Sequence, residues 1–122
     1  MGLTHVAVTI RNAGSEDSFT ANFLVDTGAI DSLAPASELK RMGITPSGKR
    51  RYELANGEIA EYEFAWAEFS FLDDTISSRI IFGPDNAEPI LGVLALESVG
   101  LVVDPVTHTL RKLYALPLKA VA

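Results

Sequence analysis

One stretch of the chain joins a carboxylate, a hydroxyl and two small residues to the end of an apolar run: Phe23-Leu24-Val25-Asp26-Thr27-Gly28-Ala29. From Phe19 the sequence reads as extended, and the loss of apolar/polar alternation at its end implies burial on both faces just before Asp26. A carboxylate fed out of a buried strand is costly unless it has a partner, access to water or a function. Its chemistry is that of proton transfer, as base or acid. The bland alternative is a buried turn Asp that only accepts backbone hydrogen bonds.

Few other residues compete for a chemical role. Asp73-Asp74 is an adjacent acidic pair, but neighbouring strand side chains point apart and Asp favours turns, so a turn is expected there. His5 and His108 have no acid or nucleophile at suggestive spacing and form no metal-binding pair. Cysteine is absent, which excludes disulfides, thiolate zinc sites and cysteine nucleophiles. No metal and no cofactor are implied. The net charge of −6 argues against a nucleic-acid binder held by phosphate neutralisation. The one basic cluster, Lys49-Arg50-Arg51, reads as solvated charge before a strand. The start of the sequence has no basic segment followed by an apolar one, and no apolar run approaches the ~18 residues of a membrane span. A soluble, cytoplasmic protein is the default expectation, with no membrane partner.

The elements that must position Asp26 follow from periodicity and turn chemistry. Across its 122 residues the chain has room for one compact domain, 1–122, with a core drawn from 48% hydrophobic residues. Val6, Val8 and Ile10 alternate with polar residues between Thr4 and Arg11, the period of a half-buried strand, and Asn12 to Asp17 form a hairpin loop. After the Asp26 turn, Asp31 to Ala34 suit a short strand. Pro35 to Gly43 carry helix start and stop signals, with Leu39 and Met42 on the buried face.

Further on, Arg51 to Leu54 and Ile59 to Leu72 flank Ala55-Asn56-Gly57-Glu58, a hairpin signal for which a type I′ turn at Asn56-Gly57 is expected. Six of the ten aromatics lie between Tyr52 and Phe71, and Trp66 and its neighbours are expected in core and interface packing. Thr75 to Phe82 form another strand. Pro89-Ile90-Leu91-Gly92 is a short buried strand leading into a helix over Val93 to Val99, with Leu94, Leu96 and Val99 apolar and Gly100 as its stop. Leu101 to Asp104 and Thr109 to Ala115 look like closing strands turned by Pro105 and Thr107, and Pro117 removes the tail from any central strand. Short strands with two short helices give a mostly-β barrel or sandwich of closed type.

The Leu-Val-Asp-Thr-Gly-Ala stretch resembles the active-site signature of aspartic proteases, and its single copy in a short chain resembles the retropepsin-like group. The likeness extends along nearly the whole chain: a strand hairpin, the Asp26 turn, a helix, a glycine-tipped hairpin, Ile90-Leu91-Gly92, a short helix and closing strands. The pattern Leu91-Gly92, Leu96-Glu97, Gly100-Leu101-Val102-Val103-Asp104-Pro105 and Leu110 is similar to the small prokaryotic members of that clan. One departure stands out. Viral retropepsins often carry an Asp after the Asp-Thr-Gly-Ala motif, paired with an Arg after the later glycine, where this chain has Ile30 and Val93. Losing both halves of an ion pair together avoids a stranded charge.

The resemblance implies a mostly-β retropepsin-like closed barrel of a single lobe with one or two short helices. It also implies aspartic endopeptidase activity on an extended peptide or protein substrate. Amide hydrolysis by this route needs two carboxylates sharing a proton, so a single copy implies a homodimer with Asp26 from each subunit at the twofold axis. Thr27 would hydrogen-bond across the axis, and Gly28 would let the substrate backbone approach. The Ala55, Asn56, Gly57 hairpin would act as a flap over a peptide bound as an added strand. Leu24, Ile30, Leu33, Ile59, Ile90 and Leu91 would line its pockets beside Ala29, while Asp31 would contact a peptide amide or cap the loop. Leu110 to Leu118 are candidates to interleave across the axis. The alternative is a non-catalytic dimerisation or peptide-binding module on the same fold.

Overall fold

The structure is a computed structural model that describes residues 4–104, 106–107, 109–116 and 118. The expectations placed on the first three residues, Pro105, His108 and Pro117, and part of the Leu110 to Leu118 segment, lie outside the described residues. The elements run β1 (His5–Arg11), β2 (Ser18–Val25), β3 (Ser32–Pro35), α1 (Ala36–Arg41), β4 (Gly48–Glu53), β5 (Ile59–Phe71), β6 (Asp74–Gly83), β7 (Ile90–Leu91), α2 (Val93–Ser98), β8 (Leu101–Val103) and β9 (Leu110–Lys112). No helix among the described residues is long and apolar enough to cross a membrane.

The sheet order β1-β2-β7-β3-β6-β5 closes on itself because β1 also pairs with β5, Thr9 opposite Ser70 and Arg11 opposite Glu68. The result is the closed barrel expected from the strand pattern. Strand β5 makes the closure possible by its length. Its second half sits in the ring between β1 and β6, while its first half pairs with β4 from Gly48 opposite Phe64 to Glu53 opposite Ile59. The β4–β5 hairpin thus extends out of the barrel with β4 as the edge strand.

Alternation fills the interior as the period of two requires. Val6, Val8 and Ile10 of β1, Phe23 and Val25 of β2, and Ala65, Ala67, Phe69 and Phe71 of β5 are buried together with Ile80 and Phe82 of β6. Leu39 of α1 and Met42 at its C-terminal cap are buried in the same core, as expected. On α2 the buried residues are Ala95 and Leu96, followed by Val99, with Leu94 only half-buried. Pro35 provides no side-chain cap for α1, and Asp85 from the loop after β6 supplies the missing acceptor by taking the Ser37 N–H at 2.9 Å. That bond, with one from the Ser37 side chain, holds the Asp85 carboxyl below its ordinary range.

Four local expectations are corrected. Gly57 has φ 87°, but Asn56 takes no positive φ, so the β4–β5 loop is not the expected type I′ turn. Asn56 Oδ1 instead accepts the Glu58 N–H at 3.0 Å, Gly57 N–H reaches Leu54 O, and Leu54 N–H reaches Glu58 O. An Asx-type side-chain bond competes with the two-residue turn and lengthens the loop. The two-residue turn with both φ values positive lies elsewhere, at Leu72 (49°) and Asp73 (63°), between the paired Phe71 and Asp74. Asp74 therefore opens β6 rather than sitting in the turn. Trp66 stands on the outer face and is 58% exposed, because β5 alternation turns Ala65 and Ala67 inward. At the far end, β8 and β9 form a separate two-stranded sheet, and β9 stops at Lys112, short of the expected Ala115.

Candidate active site

The loop after β2 is held from three sides before any side chain is considered. β2 pairs in parallel with β7, Leu24 beside Ile90 and Val25 beside Leu91, and the Asp26 N–H continues that ladder to Leu91 O at 3.0 Å. The turn closes on itself through the Ala29 N–H to Asp26 O. The carbonyls of Ala29 and Ile30 then accept the N–H groups of Val93 (2.8 Å) and Leu94 (3.1 Å), which satisfies the start of α2. Ser32 Oγ, buried, accepts the Gly92 N–H at 3.0 Å.

Within this frame the Asp26 side chain is half-buried and aimed by its own turn: Oδ1 accepts the Gly28 N–H at 2.9 Å. A Cβ at position 28 would lie 3.2 Å from that oxygen, so glycine serves here by close approach. Asp26 Oδ2 has no hydrogen bond among the described residues, and Asp26 lines a cleft of about 720 Å³. One wall of the cleft is the loop, with Gly28, Ala29, Ile30, Asp31 and Leu33. The other is the β4–β5 hairpin, with Arg51, Tyr52, Glu53, Leu54, Ala55 and Tyr62, and Ile81 and Ile90 complete the lining.

Of the residues singled out in the sequence, Asp26, Gly28, Ala29, Ile30, Asp31, Leu33, Ala55 and Ile90 meet in this cleft. Thr27 is exposed on the other side of the loop. There it lines a groove of about 400 Å³ with Val93, Leu96, Glu97 and Leu101 to Val103. Leu91 is fully buried beneath the loop and supports it rather than facing a ligand. Leu24 lies half-buried outside the cleft lining, Ile59 is 62% exposed, and Asn56 and Gly57 stand exposed at the hairpin tip.

Asp31 is engaged within the chain on both oxygens. Tyr52 Oη donates to Oδ2 at 2.8 Å and Arg79 Nε donates to Oδ1 at 3.0 Å, and the Asp31 side chain is only 1% exposed. The charge pair absent at Ile30 and Val93 therefore has a counterpart one residue further along, answered from β6. Arg79 also lies under the Trp66 ring, 5.8 Å from its centroid.

Tyr52, Arg79, Arg51, Glu53, Leu54, Tyr62 and Ile81 were missed as site residues by sequence reasoning. For Arg79 a signal existed: a cation beside the apolar run Ile80-Ile81-Phe82 needs a partner. Tyr52 shares a β4 face with Arg50, but nothing local says that this face meets Asp31.

Burial, then the hydrogen bond to Asp31 and its charge, push the Tyr52 hydroxyl from its ordinary 10.0 up to about 12, against the opposing pull of Arg79 and Arg50. The folded value lies above the unfolded one. Tyr52's contribution to stability is therefore complete below pH 10.0 and is lost as pH rises towards about 12. The stability difference between the wild type and Tyr52→Phe should shrink across that interval in denaturant titrations, and the tyrosinate absorbance step near the upper end should vanish in the variant. An unchanged difference across the interval would show that Tyr52 does not titrate as described.

Comparison with known proteins agrees with this geometry. The barrel aligns with the simian foamy virus (mac) protease solution structure at a TM-score of 0.54 and 12% identity, covering 76% of this chain and 91% of that one. It aligns with the EIAV protease complexed with the inhibitor HBY-793 at a TM-score of 0.54 and 21% identity, covering 81% and 89%. The fold is thus the single-lobed acid-protease barrel of retropepsin type. A family profile described as aspartyl protease matches residues 6–94, most of the barrel together with the Asp26 loop and Leu91-Gly92, and the chain belongs to that family. No curated protein matches the chain.

Proposed function

We propose that the chain is an aspartic endopeptidase that works as a homodimer, with Asp26 from each subunit forming the catalytic dyad. The observation that carries this reading is the state of the Asp26 carboxylate: one oxygen fixed by the Gly28 N–H, the other without a hydrogen bond among the described residues, on a residue that lines a cleft beneath a hairpin. In the dyad two like charges at close range share one proton. The ionised member takes a proton from water as the water attacks the scissile carbonyl, and the protonated member donates a hydrogen bond to the carbonyl oxygen.

Thr27 supports the two-chain reading. Its hydroxyl makes no hydrogen bond among the described residues, and it borders an apolar groove on the side of the loop away from the cleft. A partner's loop meeting it there would satisfy the hydroxyl and bring the second Asp26 close. The substrate is an extended peptide whose apolar side chains meet Ile30, Leu33, Ile81 and Ile90, while the β4–β5 hairpin closes over it and excludes water.

Mass measurement in solution and cleavage of unstructured apolar peptides test this together. The expected result is a dimer with pepstatin-sensitive cleavage. A strictly monomeric species at high concentration would count against a self-contained dyad. A dimer that binds such peptides from acidic to neutral pH without cutting them would make the chain a binding module.

A further inference from the structure

The β4–β5 hairpin has two unequal parts. From Leu54 to Ile59 its side chains are exposed, and the described contacts give them nothing to hold on the barrel. One pair before the end of the β4–β5 ladder, opposite Ala60, Tyr52 reaches across to the Asp26 loop and bonds Asp31, five residues beyond Asp26 in the chain. Asp31 is locked in turn. Its neighbour Ser32 holds the Gly92 N–H, and its second oxygen is held by Arg79, which is wedged between Asp31 and the Trp66 ring.

Lifting Tyr52 would leave a buried carboxylate oxygen without its donor, a cost that movement of the exposed tip does not incur. We propose that the Asp31–Tyr52 hydrogen bond is a clamp that fixes the pivot of this hairpin. The part beyond Tyr52 opens and closes over the cleft, while Gly48 to Tyr52 stay with the active-site loop. Tyr52 and Asp31 are then positioning residues, acting on peptide affinity through the hairpin rather than on the reacting atoms. The inference rests on the reading that the hairpin closes over a peptide.

The test uses Tyr52→Phe, which keeps the ring and its tilted contact with Tyr62 and removes only the hydroxyl. Amide exchange of the whole chain should show β4 and the hairpin loop exchanging roughly tenfold faster in the variant, the scale of one hydrogen bond to a charged group, with β1 and β2 unchanged. In cleavage assays KM should rise about tenfold while kcat stays within about twofold, the signature of lost binding rather than lost chemistry. Hairpin exchange identical to the wild type would overturn the clamp, as would faster exchange spread evenly over β1 and β2, because Tyr52 would then be a general support. So would an unchanged KM in an active enzyme. A wild type that cleaves nothing, yet shows the hairpin-specific exchange difference, sinks the proteolysis reading and leaves the clamp standing.

Discussion

Asp26→Asn should leave a folded chain and reduce peptide cleavage by at least about a thousandfold, within the range contributed by a positioned acid–base group. Folding should survive because the bond that aims the side chain survives: an amide oxygen can still accept the Gly28 N–H that Asp26 Oδ1 accepts at 2.9 Å. The side chain is half-buried beside an open cleft, so the new amide NH2 can meet water rather than a dry interior. Chemistry should fail because a homodimer loses both carboxylates at once and with them any base for the attacking water. Cleavage of an unstructured substrate, a thermal melt and a dimer dissociation curve measured together separate these effects. Pepstatin-sensitive proteolysis persisting in the variant would remove Asp26 from the mechanism.

The sequence speaks most clearly where a requirement is local. An apolar strand that ends in Asp-Thr-Gly-Ala, and an Ile-Leu-Gly that must lie under it, are each legible within a few residues, and the barrel joins them through one parallel pairing, Val25 with Leu91. The periods of β1 and α1 are legible for the same reason, since burial of Val8 and Leu39 follows from side-chain direction alone. What stays hidden depends on which strands meet. Tyr52 and Asp31 are far apart in sequence, and their contact exists only because β4 overhangs the loop. Arg79 reads as an interruption in an apolar strand until the ring brings Asp31 alongside it. The turns show a subtler limit. Asn56-Gly57 carries the stronger two-residue turn signal, yet Leu72-Asp73 takes the positive φ values. The direct pairing of Phe71 with Asp74 forces that conformation on whichever residues lie between them, while Asn56 is free to satisfy its side chain instead.

Gly92→Ala should be the most damaging single-methyl change near the site, with a loss of about 3 kcal/mol or more, at or beyond the upper end for inserting atoms into packed structure. Backbone preference is not the cause, since φ −92° and ψ 177° are open to any residue. The obstacle is steric and made of backbone. A Cβ on Gly92 would lie 2.6 Å from both the carbonyl carbon and oxygen of Asp31 and 2.9 Å from the carbonyl oxygen of Ile30. Relief by moving the loop would strain the bonds that join it to the Leu91–Leu94 segment: Asp26 N–H to Leu91, Gly92 N–H to Ser32, and Val93 and Leu94 N–H to Ala29 and Ile30. Gly83 makes the instructive comparison, since a Cβ there would come within 2.5 Å of Leu33 Cδ2, an atom of a side chain that can rotate. Gly83→Ala should therefore cost less despite the shorter contact, because a side-chain rotamer yields where a hydrogen-bonded loop does not. Urea midpoints for the two variants decide the matter. Equal losses, or a Gly92→Ala protein as stable as the wild type, would mean that the loop carrying Asp26 has room to move; the expected order, with Gly92→Ala far lower, means that the turn aiming Asp26 is held rigid by the absence of one side chain beneath it.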